Sequence, residues 1–181
     1  MFLLETIHDR PDEIPVDREM VLQRWIFYSE AYYNSDNFGG VEWIHGDDFC
    51  YNLGTTNNQV SSLRYAGDTN DWKFDSITLF QFDLFFGLEY FEWADTTDVQ
   101  GMPAVGSLII TGQNYWTVYS STNFSGNRVC LGVQSGQYVG FAADLNEYGI
   151  TTVRSFRRGC FSDEKIHLNS DQHGVVSKIK E

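Results

Sequence analysis

An all-β chain built from Greek-key units is the fold class this sequence predicts, on three observations. Aromatic residues make up 16% of the chain and glycine fills 16 of 181 positions, while proline occurs only 3 times. Apolar residues fall in short runs between turn-forming residues, the pattern of strands rather than helices. The third observation is a recurring spacing: an aromatic, four residues, a second aromatic, one residue and a glycine, then a strand-like alternation. It is read at Tyr33-NSDN-Phe38-Gly39-Gly40 before VEWIHG, at Phe80-QFDL-Phe85-Phe86-Gly87 before LEYFEW, and at Tyr119-SSTN-Phe124-Ser125-Gly126 before NRVCLG. Each such repeat is one supersecondary unit that needs a neighbour to bury its apolar face.

In chain order, residues 1–26 read as an N-terminal extension, charged up to Glu19 and interrupted by Pro11 and Pro15. From Asp17, a fitting N-cap, VDREMVLQRWI suits about two helical turns. The alternative is a lead-in strand, because WIFYSEAYY is dense in β formers. Residues 27–72 hold the first Greek-key motif, and residues 73–160 the second and third. Each glycine stands where a turn needs positive φ or where a ring lies on bare backbone. A small polar residue then precedes each returning strand: Ser62 before LRY, Ser107 before LII and Thr152 before VRS. Its hydroxyl is placed to tie that strand back to the hairpin. Two such units face to face make a sandwich. Residues 161–181 form a polar C-terminal segment with a short strand expected at Gly174–Ile179.

Composition excludes several function classes. Twenty-five acidic against 12 basic residues give a net charge of −13, which disfavours nucleic acid or an anionic membrane as partner. The opening MFLLETIHDRPDE has too short an apolar run for a signal-peptide core, and no run approaches the length of a membrane span. Cys50, Cys130 and Cys160 are odd in number and far apart. That argues against a disulfide framework and a zinc site, and for a reduced, cytoplasmic protein. His8, His45, His167 and His173 show no metal-ligand spacing, and no nucleophile elbow or glycine-rich phosphate loop occurs. A non-catalytic protein is expected. The paired aromatics, Trp43 and Trp93 read as packing residues.

One stretch carries chemistry. Asn57-Asn58-Gln59-Val60-Ser61-Ser62 crowds amide and hydroxyl oxygens into six positions. Asn and Ser are ordinary turn residues, but the same oxygens suit a hard cation such as Ca2+. Composition leaves both readings open.

The three spacings together, best in GQNYWTVYSSTNFSGNRVCL and GQYVGFAADLNEYGITTVRSFRRG, resemble the βγ-crystallin superfamily over residues 27–160. The resemblance implies Greek-key β-sandwich units of the βγ-crystallin type, two packed units with one degenerate motif. It also implies that NNQVSS is a calcium half-site of the form Asn/Asp-Asn/Asp-x-x-Ser/Thr-Ser, completed crosswise by a hydroxyl of the paired motif. The corresponding MPAVGS of the second repeat lacks the amide pair and the penultimate hydroxyl, while EYGITT of the third keeps two hydroxyls. The site expected from the resemblance is Asn57, Asn58, Gln59 and Ser61 with Thr151, holding Ca2+ in a structural or calcium-responsive protein. The alternatives are a structural protein with decayed sites, or a binding effector such as a toxin or protease inhibitor. With three motifs counted, the first has no evident partner. A degenerate N-terminal segment or a homodimer through that unpaired motif would supply one.

Overall fold

The computed structural model describes residues 23–46, 52–54, 56–71, 73–171 and 173–178. Each unit opens with a hairpin. The first unit contributes β1 (Gln23–Tyr28), β2 (Gly39–Gly46) and β3 (Ser62–Tyr65). Of the stretch after Asp17, residues from Gln23 onward take the strand alternative, and those before it lie outside the described residues. The second unit contributes β4 (Ser76–Phe80), β5 (Glu89–Glu92) and β6 (Ser107–Thr111). The third contributes β7 (Trp116–Ser121), β8 (Ser125–Gly132), β9 (Val139–Ala142) and β10 (Ser155–Arg158). Two more strands follow, β11 (Lys165–His167) and β12 (His173–Lys178).

These strands form three four-stranded sheets: a first in the order β12-β2-β1-β3, a middle one β5-β4-β6-β9, and a third β10-β7-β8-β11. The second and third units pair by exchanging strands. Strand β9 leaves the third unit to pair antiparallel with β6 of the second. In return, Thr96 of the second unit bridges to Phe156 of β10, and the Val99 N–H donates to the Arg154 carbonyl at 2.8 Å. This crossing is the Greek-key sandwich in its two-unit form.

Strands β4, β6 and β9 of the middle sheet are buried on both faces, which explains their apolar character, while β5 at the edge is partly exposed. One face sends Ile77, Leu79, Leu108 and Ile110 toward Trp116, Val118, Leu131 and Phe156 of the third sheet. The alternate residues Phe80, Ile109, Val139 and Phe141 meet Ile26, Tyr28, Val41 and Trp43 of the first sheet. A fully buried side chain of this size contributes about 1.5–3 kcal/mol, so both layers are held by apolar contact. The first unit therefore stacks on the back of the paired second and third units. Polar bonds reinforce that stack. Tyr28 Oη donates to the Phe85 carbonyl at 2.7 Å, and the Gly87 N–H donates to the Tyr33 carbonyl at 3.0 Å. Burial pushes the Tyr28 hydroxyl well above the usual phenol range, so it remains a donor.

The segment after residue 160, expected to be polar with a short strand at 174–179, joins all three sheets through its described residues. Strand β11 runs parallel to β8 in the third sheet, Asn169 bridges to Phe141 of the middle sheet, and β12 runs antiparallel to β2 in the first. Leu168 between them is buried in the core. The segment lacks the long apolar run of a core strand because it pairs at sheet edges, where alternate side chains face solvent. A glycine sets its path: a Cβ on Gly174 would lie 2.0 Å from the Trp43 ring.

The disulfide expectation is also corrected. Cys130 on β8 and Cys160 after β10 form a disulfide, with Cα atoms 5.3 Å apart. Strands β8 and β10 both flank β7, so the fold brings together two cysteines that are remote in sequence. An odd count leaves one cysteine over and says nothing against a pair among the rest. Of the expected packing tryptophans, Trp43 is buried in the core, while Trp93 is half exposed beside Phe74 and Phe91.

Candidate calcium site

The hydroxyl tethers fix how the units correspond. Ser62 Oγ donates to the Glu30 carbonyl and accepts from the Tyr33 N–H. Ser107 does the same with Phe82 and Phe85, and Ser155 with Ser121 and Phe124. Beside each tether the hairpin carries left-handed residues, at Tyr32 and Tyr33, Leu84 and Phe85, and Asn123 and Phe124. The ring pairs agree: Tyr28–Tyr33, Phe80–Phe85 and Tyr119–Phe124 have centroids 5.8, 5.5 and 5.8 Å apart.

Two expected registers shift as a result. In the first unit the spacing is Tyr28-SEAY-Tyr33, five residues before the one read from sequence. The overlapping run Tyr33-NSDN-Phe38 carries the glycine, Gly40, whereas Ser35 stands at the glycine position of the true hairpin. Asn34, left-handed at φ 52°, stabilises that turn by accepting from the Glu30 N–H and donating to the Gly40 carbonyl, both at 3.0 Å. In the third unit the tether is Ser155 and not Thr152. Ser61 therefore corresponds to Gly106 and Arg154, and Asn58 to Pro103 and Thr151.

NNQVSS lies between a buried anchor and β3. Thr56 is fully buried, and its hydroxyl donates to Glu42 Oε2 at 3.0 Å. The Gly54 N–H donates to both Glu42 oxygens at 3.0 Å, and His173 Nε2 of β12 meets Oε1 at 2.9 Å. Burial pushes the Glu42 carboxyl up, but the bonds from Gly54, His173 and Thr56 outweigh it and hold the carboxyl below its ordinary value. From that anchor the chain turns, with the Gln59 N–H donating to the Thr56 carbonyl at 2.9 Å and Asn58 left-handed at φ 60°. The Ser61 N–H donates to the Tyr28 carbonyl, returning the chain to β1.

Asn57, Asn58, Gln59 and Ser61 are all exposed on this turn. Ser61 Oγ makes one long bond, 3.4 Å to the Gln59 carbonyl. Among the described residues, the Asn57 and Asn58 side chains make no hydrogen bond. Other polar turns of the chain differ: Asp68, Asp71, Asp144 and Asn169 each accept from a backbone N–H two residues on. Thr151 lies elsewhere, with Gly149, Ile150 and Thr152 beside Val118, Ser120 and Arg128 of the third sheet. The middle sheet separates it from NNQVSS.

The paired second and third units lack the Ser61 hydroxyl and the amide pair; of the side chains equivalent to Asn57, Asn58 and Ser61, only Thr151 carries an oxygen. A Cβ on Gly106 would lie 2.4 Å from backbone atoms of Phe82 and Asp83, so a serine does not fit there. At the matching position of the third unit stands Arg154, paired with Asp98 at 2.9 Å. No cluster of His, Cys, Asp and Glu able to hold a metal occurs among the described residues. Of the other histidines, His8 lies outside the described residues, His45 Nε2 bonds the Ser170 carbonyl, and His167 Nε2 the Tyr115 hydroxyl.

No protein-family model and no curated protein matches the chain. Among solved structures it is similar to geodin, a βγ-crystallin from Geodia cydonium, at 22% identity over 75% of this chain and 77% of that one, with a TM-score of 0.49. It is also similar to a βγ-crystallin from an archaeon, at 18% identity over 46% of this chain and 96% of that one, TM-score 0.40. The fifth crystallin domain of the non-lens protein Absent in melanoma 1 shares 24% identity over 49% and 90%, TM-score 0.38. With the crossed strands, tethers and ring pairs in hand, the fold is of the βγ-crystallin type. No helix among the described residues is long and apolar enough to cross a membrane.

Proposed function

We propose that this is a non-catalytic βγ-crystallin-type protein that binds Ca2+ at the turn Asn57–Ser61, in a structural or calcium-responsive role. The observation that carries this reading is the idleness of the two amides. A turn that existed only to reverse the chain would use such side chains on nearby backbone, as four other turns here do. Asn57 and Asn58 present their oxygens to solvent on a backbone already fixed through Thr56 and Glu42. Oxygen donors held ready on a rigid loop suit a hard cation, and the net charge of −13 favours its approach. Thr151 is left out of the proposed site because it stands beside the third sheet.

Calorimetry with calcium, and melting with calcium or chelator, test the reading. Calcium at a hundred times Kd adds about 2.7 kcal/mol, a rise of about 5–10 °C for a chain of this size. Asn58→Ala and Ser61→Ala should remove that rise while leaving the chelator melt unchanged. An absent heat of binding at millimolar calcium would remove the proposal.

One observation favours a second reading, a secreted binding effector. The Cys130–Cys160 disulfide suits an oxidising compartment better than the cytoplasm.

A further inference from the structure

We propose that the outer face of the third sheet docks an acidic peptide segment of a partner protein, with Arg157 holding its carboxylate. The third sheet ends the stack. Trp116, Val118, Leu131 and Phe156 face the middle sheet, and no further sheet lies over the opposite face among the described residues. Side chains alternate along strands, and directly opposed residues share a face. The ladder therefore puts Arg157, Tyr119, Arg128 and Lys165 on the outer face. The four strands contain no Asp or Glu. Among the described residues, Arg128, Arg157 and Lys165 form no ion pair. The segment after β10 crosses only part of this face, bonded through the Thr117 hydroxyl to Gly159 and Phe161, and leaves Arg128 and Lys165 exposed. In a chain of net charge −13, this face stands apart as basic.

The first unit shows what such an arginine takes. Arg64 stands two residues after the tether Ser62, as Arg157 stands two after Ser155. Each guanidinium lies on the ring pair of its own unit. Arg64 is 3.9 Å from the Tyr33 centroid and 5.1 Å from that of Tyr28; Arg157 is 5.3 Å from Phe124 and 5.7 Å from Tyr119. The fork of Arg64 is filled. Its Nη1 donates to Glu89 Oε2 at 3.0 Å and its Nη2 to the Gly87 carbonyl at 2.7 Å, two groups of the short stretch leading into β5.

The fork of Arg157 is aimed in the same way but open. Its Nε donates to Tyr119 Oη at 3.0 Å, and the ring of Phe161, 44% exposed, lies 3.5 Å from it. Among the described residues, its two Nη groups make no hydrogen bond or ion pair. A planar fork held between rings loses little freedom on binding and matches a carboxylate through two parallel bonds. The ligand that fits is the kind Arg64 already holds: a glutamate two residues after a backbone carbonyl, with an apolar neighbour for Phe161. The net charge of the chain disfavours a phosphate polymer in that place.

Heteronuclear NMR on the full chain tests this, with chelator present so that the calcium reading plays no part. The probe is the peptide acetyl-Phe-Gly-Leu-Glu-Tyr-amide, the sequence of residues 86–90. The Arg157 Nε–H and Phe161 resonances should shift saturably at millimolar peptide. The same peptide with Gln for Glu should bind roughly tenfold or more weakly, having lost a charged two-bond contact. Arg157→Gln should lose the same factor with an unchanged circular dichroism spectrum. Arg154→Gln, at an arginine already paired with Asp98, should keep the parent's affinity. Equal binding of the two peptides, or no saturable shift, overturns the proposal. So does a single-stranded oligonucleotide that shifts the same resonances at lower concentration than the peptide. A shift on concentrating the protein alone assigns the face to a second copy and overturns it too. Should Arg157→Gln fail to fold, the comparison of the two peptides on the parent decides.

Discussion

Glu42 presents no side-chain surface to solvent, yet it is the point at which β2, the chain leading into NNQVSS and β12 meet. A buried carboxylate is tolerated only when its oxygens are bonded, and here the partners come from two segments, Gly54 and Thr56 before NNQVSS and His173 on β12. Replacing it with Gln puts an amide donor against the Gly54 and Thr56 donors. Glu42→Gln should lower stability at pH 7 by about 2–3 kcal/mol. The pH dependence follows from the direction of the shift. A carboxyl held below its ordinary value contributes stability that is complete above that value and is lost as pH falls through the folded one. Urea midpoints of parent and variant should therefore converge between pH 7 and pH 3. A gap that stays constant with pH would count against the ionised form as the stabilising one.

At the scale of the element, the repeated hairpin is defined by its tether and its ring pair. Ser155 is buried, serves Ser121 and Phe124, and leaves both unpaired if truncated. Ser155→Ala should cost about 1–3 kcal/mol, whereas Thr152→Ala, at an exposed position, should stay within about 0.5 kcal/mol. Denaturant midpoints of the two variants distinguish the structural register from the one suggested by sequence spacing. That difference marks how far the hairpins were legible. Phe80…Phe85…Gly87 and Tyr119…Phe124…Gly126 could be read directly, because glycine and ring spacing are local requirements of a left-handed turn. The first hairpin was misplaced because Asn34 and its two hydrogen bonds make that turn without the glycine. The third tether was misplaced because Thr152 and Ser155 are chemically alike, and only the strand ladder tells them apart. For the candidate site, Asn57 to Ser61 were legible as a group of oxygens. The distance of Thr151 was not, since it depends on which sheets face each other.

Across the whole molecule, order comes from contacts remote in sequence. The Cys130–Cys160 bond closes a separation of 30 residues, and the chain-entropy argument assigns such a link about 3–4 kcal/mol. Reduction under native conditions should lower the denaturation midpoint accordingly. Alkylation of the oxidised protein, unfolded in denaturant, should label one cysteine of the three. Three labelled thiols in freshly isolated protein would remove both the disulfide and the secreted reading. Neither the disulfide nor the three-layer stack was legible in the sequence. Cysteine parity and apolar alternation carry no information about which faces meet.

The path of β11 and β12 has a consequence for biosynthesis. Strand β2 is made well before the strand that completes its edge: Glu42 and His173 are 131 residues apart. While the ribosome is still at work, the hairpin of β1 and β2 is folded beside an open edge, and its carboxylate at Glu42 lacks His173. The middle and third sheets can close before then, since nearly all their strands precede residue 160. The nascent chain thus holds an exposed, aggregation-prone strand edge until β12 emerges. Truncation ahead of His173 returns the protein to that state.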